Sequence, residues 1–182
     1  AYAYFLTKKS AFAESGIFAD LPALLLNRLV LSVYHVERTR ISLFRNYQES
    51  FVVHLIQHIK PFQAPPGTLI VEKGDVPDEI ICVMRGIVQF KTTNGVLDAI
   101  TGYTTEGGYF GDFEYFKKTT RHVSHMAVGN GNLLAIPTSC LDEAIKQHPH
   151  PGDRFLTELD LRYRNFLEAK ASPHVPKKGG AG

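Results

Sequence analysis

Between Phe62 and Pro137 the chain is a series of short apolar, β-branched runs cut at close intervals by turn-forming residues. The runs are Leu69-Ile70-Val71, Ile80-Ile81-Cys82-Val83-Met84, Ile87-Val88-Gln89-Phe90, Val96-Leu97 and Leu133-Leu134-Ala135-Ile136. The breaks between them are Pro65-Pro66-Gly67, Lys73-Gly74-Asp75, Asn94-Gly95 and Asn130-Gly131. Short strands at regular spacing, separated by turn dipeptides, predict an antiparallel roll or barrel.

The flanks have a different period. Asp20-Leu21-Pro22 is a helix start, a capping acid with proline in the first turn, where a missing N–H costs nothing. Leu24, Leu25, Leu29 and Val33 follow at helical spacing, and Phe51, Val52, Leu55, Ile56 and Ile59 form a second stripe that stops at Lys60-Pro61. Beyond the roll, Ser139 and Asp142 fit a capping box ahead of Leu141, Ala144 and Ile145. After His148-Pro149, the stripe Phe155, Leu156, Leu159, Tyr163, Phe166, Leu167 predicts one last helix, and the tail from Ser172 is expected to be disordered. Helices, roll, two helices is an α+β order with the classes segregated. The expected divisions are a helical segment over 1–60, the roll with its C-terminal helices over 61–170, and a tail over 171–182.

Bulk properties exclude several functions. A formal net charge of +2 over 182 residues, with basic and acidic side chains interleaved, gives no phosphate-tracking stripe, so no nucleic-acid partner is expected. Two cysteines, Cys82 and Cys140, are too few for a disulfide framework and fit a reducing compartment. No apolar run approaches the roughly 18 residues that span a bilayer, and the opening residues lack a signal-peptide pattern. The chain as given is expected to be soluble.

The stretch that carries chemistry is Gly107-Gly108-Tyr109-Phe110-Gly111-Asp112-Phe113-Glu114, running on to Arg121. A glycine-rich turn leading into a short helical piece points several backbone N–H groups one way, a concavity that binds anions. Arg121, eleven residues after Phe110, would supply the opposing bidentate cation, and Asp112 would accept a ribose hydroxyl. From these residues alone, turn-forming glycines of a β-rich region remain the simpler reading.

In order and spacing, Pro66-Gly67, Lys73-Gly74-Asp75, Met84-Arg85-Gly86-Ile87-Val88, Phe110-Gly111-Asp112 and Arg121-His122-Val123 resemble the cyclic-nucleotide-binding domain family. The resemblance extends over roughly Leu21 to Lys170. It implies a jelly-roll-like β-roll with a phosphate cassette, here Phe110, Gly111, Asp112, Phe113, Glu114, Arg121, His122 and Val123, closed by a last helix near Arg162 and Tyr163. Phe18-Ala19-Asp20-Leu21-Pro22 and Ile41-Ser42-Leu43-Phe44 look like the later helices of the C-linker. That element joins pore to roll in cyclic-nucleotide-gated, hyperpolarisation-activated and ether-à-go-go-type channels. The resemblance therefore implies the cytoplasmic gating module of a tetrameric cation channel, with potassium as the expected ion. Its ligand would be cAMP or cGMP, its self-association would run through the linker, and its link to a membrane would be a pore region absent from this sequence. Arg28, Glu37, Arg38 and Arg40 are candidates for salt bridges between subunits.

Several residues depart from the family pattern. Asp112 replaces glutamate, Glu114 brings bulk and negative charge where a small residue is usual, and His122 and Val123 replace small residues. Ether-à-go-go-type channels share several of these departures, and in them an aromatic segment after the last helix fills the pocket; Tyr163-Arg164-Asn165 falls at that place. Three alternatives stand beside a nucleotide-responsive module: a ligand-insensitive homology domain, a kinase-regulatory sensor, and a cupin-like metal enzyme suggested by His122 and His125. No catalytic motif is legible, and His54 with His58, four apart, lack a third metal ligand nearby, so neither catalysis nor a metal is expected.

Overall fold

The computed structural model describes residues 41–45, 47–93 and 98–171. The first helical stripe, the proposed inter-subunit charges, Asn94-Gly95, Val96-Leu97 and the tail from Ser172 lie outside these residues. A 3₁₀ turn at Ser42–Phe44 leads to α1 (Glu49–Ile56). Eight strands follow: β1 (Lys60–Ala64), β2 (Leu69–Val71), β3 (Glu79–Arg85), β4 (Ile87–Thr93), β5 (Asp98–Thr105), β6 (Tyr109–Phe110), β7 (Ser124–Ala127) and β8 (Gly131–Pro137). Helix α2 (Asp112–Lys117) separates β6 from β7, and α3 (Thr138–Gln147) and α4 (Pro149–Ala171) close the chain.

The strands form two four-stranded antiparallel sheets, β1-β8-β3-β6 and β2-β7-β4-β5. Side chains alternate faces along a strand, so a continuous apolar run is needed where both faces are covered. Strand β3 is such a case. Ile81 and Val83 join Ala64, Ile70, Val88, Phe110, Ala127, Leu133 and Ala135 inside the roll. Ile80, Cys82 and Met84 face the other way, into a second core with Phe44, Tyr47, Phe51, Leu55, Ile136, Leu141, Phe155 and Leu159. Burial of such side chains contributes about 1.5–3 kcal/mol each, so the helices and the roll stabilise one another.

The α+β order expected from the sequence is present, and several boundaries differ. The second helical stripe ends at Ile56 rather than Lys60, and Ile59 reaches the core from a turn (4% exposed). Pro61 lies within β1, paired with Leu134, instead of preceding the sheet. The expected capping box does not form: α3 starts at Thr138 after Pro137, with no side-chain cap. Thr138 Oγ1 donates instead to the Asp78 carbonyl, 3.1 Å away, which ties the helix start to the approach to β3. Strands β5 and β7 have no counterpart among the apolar runs, because threonine, histidine and serine dilute their alternation.

Helix α4 begins at Pro149 as expected and crosses α3 closely, since a Cβ on Gly152 would come within 3.0 Å of the Ile145 Cα. Its first half is held by Tyr47, whose hydroxyl donates to Glu158 and whose ring lies edge-on to Phe155. No helix among the described residues is long and apolar enough to cross a membrane.

Where α1 meets the α3–α4 elbow, His54 lies 5.8 Å from His58 and 6.0 Å from His148, ring centroid to centroid. Its Nε2 is buried with no hydrogen-bond partner among the described residues. Burial, and then the charges of His58 and His148, lower the His54 pKa below its ordinary 6.5. The unfolded chain therefore binds a proton here that the folded chain resists, and the resulting stability is lost as pH falls through 6.5. Urea midpoints measured at pH 7.5 and 5 are expected to fall with acid in the native chain and to fall less in His54→Leu.

Candidate functional site

Strand β6 ends at Phe110, and Gly111 turns the chain into α2 with φ +93. A side chain is strained in that region, and a Cβ here would lie 2.1 Å from Arg121 Nη1 and 2.9 Å from the Glu79 carbonyl oxygen. Glycine thus allows the cassette backbone to lie directly against the Arg121 guanidinium. The main chain of Arg121 is fixed by the loop before β3. Gly74 N–H donates to the Arg121 carbonyl (2.8 Å), and Arg121 N–H to the Asp75 carbonyl (2.9 Å). The Lys73-Gly74-Asp75 break is therefore the strut that positions the cationic residue.

The Arg121 side chain is almost wholly buried, at 2% exposure. Nη2 donates to the Glu79 carbonyl, while Nε and Nη1 have no partner among the described residues. Burial pulls its pKa down, and the negative charge of Glu114, then Asp78, Glu79 and Asp75, acts against that. Glu114 is itself 7% exposed and accepts at 3.4 Å from the His122 N–H, with His122 Nδ1 also 3.4 Å away. The cassette thus carries a buried carboxylate beside its buried cation.

Asp112 is 2% exposed and ion-paired with Arg162 of α4 at 2.6 Å. Burial raises its pKa to about 6, and the Arg162 charge is the largest opposing influence. Desolvation outweighs the pairing, so acid near pH 6 discharges Asp112. Arg162 also stacks over Tyr109 (4.0 Å) and Phe113 (5.0 Å). Tyr163 meets the Phe113 ring edge-on at 5.6 Å, with Lys117 Nζ 4.4 Å from the Tyr163 centroid.

Gly111, Asp112, Glu114, Arg121 and His122 therefore lie near one another. Arg162 and Tyr163 reach the same helix from α4 through Asp112 and Phe113. Phe110 lies inside the roll, and Val123 is half-buried on the approach to β7. Tyr163 is half-buried and continues the α4 stripe, but Phe166 and Leu167 beyond it are exposed. His122 and His125 do not share a site, the first being exposed and the second buried. Among the described residues no group of three or more His, Cys, Asp or Glu side chains is placed to hold a metal ion.

The sequence reading missed Tyr109, the platform for Arg162, and Glu79, whose main chain holds Arg121. It also missed His125 as a member of the interior: β7 alternates, so His125 and Ala127 are buried between half-buried neighbours.

Residues 61–148 match the family model of the cyclic nucleotide-binding domain. The chain is 21% identical to the cyclic nucleotide-gated channel cone photoreceptor subunit alpha of Gallus gallus, over 93% of this chain and 25% of that protein. It is 23% identical to cyclic nucleotide-gated channel alpha-2 of Bos taurus, over 96% of this chain and 28% of that protein. The chain thus spans about a quarter of the length of these relatives. The catabolite activator protein of Thermus thermophilus shares the fold with a TM-score of 0.61 and 22% identity, over 70% of this chain and 60% of that one.

Gly111→Ala is expected to destabilise the chain by about 2 kcal/mol or more, from positive-φ strain together with the collision against Arg121. Calorimetric melting should show a fall of at least about 5 °C.

Proposed function

We propose, from the premise that residues 61–148 are a cyclic nucleotide-binding domain, that the chain is the cytoplasmic regulatory module of a tetrameric, potassium-conducting cation channel. The module senses cAMP or cGMP and is not an enzyme. Nucleotide would enter the roll at Phe110 to Glu114 and Arg121 to Val123, with Arg162 and Tyr163 closing over it, and the linker would carry self-association at the membrane face.

The observation that supports this most directly is the guanidinium of Arg121, packed against Gly111 with Nε and Nη1 unpaired. A buried donor without an acceptor costs roughly 1–3 kcal/mol, more when charged, and a phosphodiester would remove that cost. The structure also suggests how binding would be conveyed. Helix α4 packs its first half on Tyr47 and Phe51 through Phe155 and its second half on α2 through Arg162. Ser42 N–H and Oγ both donate to the Gly107 carbonyl, at 3.3 and 2.7 Å, so the 3₁₀ turn touches the turn that leads into β6 and the cassette. A ligand shifts such an assembly only by its differential affinity for two arrangements.

A second reading is favoured by one specific contact. Asp112, the residue suited to a ribose hydroxyl, is already engaged by Arg162, and Glu114 already compensates Arg121. On this reading the cassette is self-satisfied and the domain does not respond to nucleotide.

Calorimetric titration with cAMP and cGMP separates the two. Saturable binding that is lost in Arg121→Ala, with the fold checked by circular dichroism, is expected for the sensor. Absence of heat to millimolar nucleotide in the native chain, with binding appearing in Arg162→Gln, would establish the self-satisfied domain.

A further inference from the structure

Among the described residues, His125 is the one histidine that the fold carries into the interior of the roll. It is 5% exposed, and β2 and β4 flank it, with Val71 and Phe90 opposite it in register. Its imidazole is stacked on the Phe110 ring, 3.9 Å between centroids and 6° from parallel. Phe110 is the residue immediately before Gly111, so the imidazole is stacked on the neighbour of the turn that contacts Arg121. Nδ1 is buried with no hydrogen-bond partner among the described residues.

The charged groups that act on His125 are Glu114 of α2 and Arg121, the first favouring its protonation and the second opposing it. From β2, β4 and β6 it is faced by Val71, Phe90 and Phe110, none of which titrates. His122 bears on the same cluster from outside, through its contact with Glu114. Around the buried Arg121 cation stand the buried carboxylates of Glu79 and Glu114, with Asp112 paired to Arg162, and one neutral base whose protonation is opposed by burial.

This balance has a consequence for any anion that enters. A phosphodiester adds one negative charge where Glu114, then Asp78, Glu79 and Asp75, already act on Arg121. In a poorly solvated interior an uncompensated charge is costly, and a proton on the neutral imidazole of this cluster, which the Val123 backbone favours, compensates it.

We propose that His125 is a further residue of the anion site, taking up a proton as a cyclic nucleotide binds, so that phosphate is met by Arg121 and an imidazolium together. This rests on the nucleotide-sensing reading above. It makes binding tighter as the pH falls, with a limiting slope of about tenfold in Kd per pH unit for one proton. The uptake belongs to the ligand, since the free chain holds His125 neutral down to about pH 4.

The test is calorimetric titration of cAMP and cGMP into the whole chain from pH 8 to 5.5, repeated at pH 7, above the range near pH 6 in which Asp112 discharges, in two buffers of different ionisation enthalpy. Expected are a Kd that falls by about threefold to tenfold per pH unit across part of this range and a buffer-dependent enthalpy corresponding to proton uptake. His125→Val should bind with a nearly pH-independent Kd between pH 8 and 7, above the range near pH 6 in which Asp112 discharges, while His122→Gln should keep the dependence there. A measurement without mutation guards against misfolding of the valine variant: the His125 ring resonance of the native chain should titrate at higher pH with saturating nucleotide than without. Binding with a flat pH profile and no proton uptake would overturn the proposal and leave the sensor reading standing. A dependence lost in His122→Gln but kept in His125→Val would overturn it in favour of the surface histidine. No binding at any pH would remove the sensor reading itself, and this inference with it.

Discussion

Strand β3 is buried on both faces, and the rest of the molecule is arranged around that fact. A strand with one wet face needs only one partner layer, but Ile80, Cys82 and Met84 on one side and Ile81 and Val83 on the other need two. The roll supplies one layer and the helices the other. A displacement of the helical layer is therefore felt by the sheet that carries the cassette. Such cores are close-packed and adjust by repacking rather than by continuous deformation, which makes them suited to two-state regulation.

Electrostatics set the character of the site. Buried charges persist only when they are paired or hydrogen-bonded, and the cassette holds three, Asp112, Glu114 and Arg121. Asp112 takes its partner from α4, whereas Arg121 shares the field of Glu114 and gives one hydrogen bond to Glu79. Helices α1 and α2 thus meet on α4, toward opposite ends of one element. Breaking a buried pair by removing one partner typically costs about 3–5 kcal/mol, and a half-buried pair such as Asp112–Arg162 costs less. That is a range in which ligand contacts could compete with it.

Much of the architecture was legible because period and punctuation are local properties. The alternation of short apolar runs with Pro66-Gly67, Lys73-Gly74 and Asn130-Gly131 specified a roll, and His148-Pro149 marked the last helix. Strands β5 and β7 escaped because their inward positions include glycine and histidine, which carry no apolar signal. The Ser139 capping box failed for a related reason: Thr138 had a better acceptor in the Asp78 carbonyl, distant in sequence but adjacent in the fold. Gly111 and Arg121 stand out in the sequence by type and spacing, and the fold brings them into contact.

By itself, then, the sequence determined the order of elements, the glycine turn and the arginine that faces it, because each depends on residue type within a few positions. Tertiary structure alone decided what those residues touch. It buried Arg121 against Gly111, gave Asp112 to Arg162 across fifty residues, and set His125 beneath Phe110. The reason is physical: a side chain's charge state and available hydrogen bonds depend on its dielectric surroundings and neighbours, and the fold assembles those from strands and helices far apart in the chain.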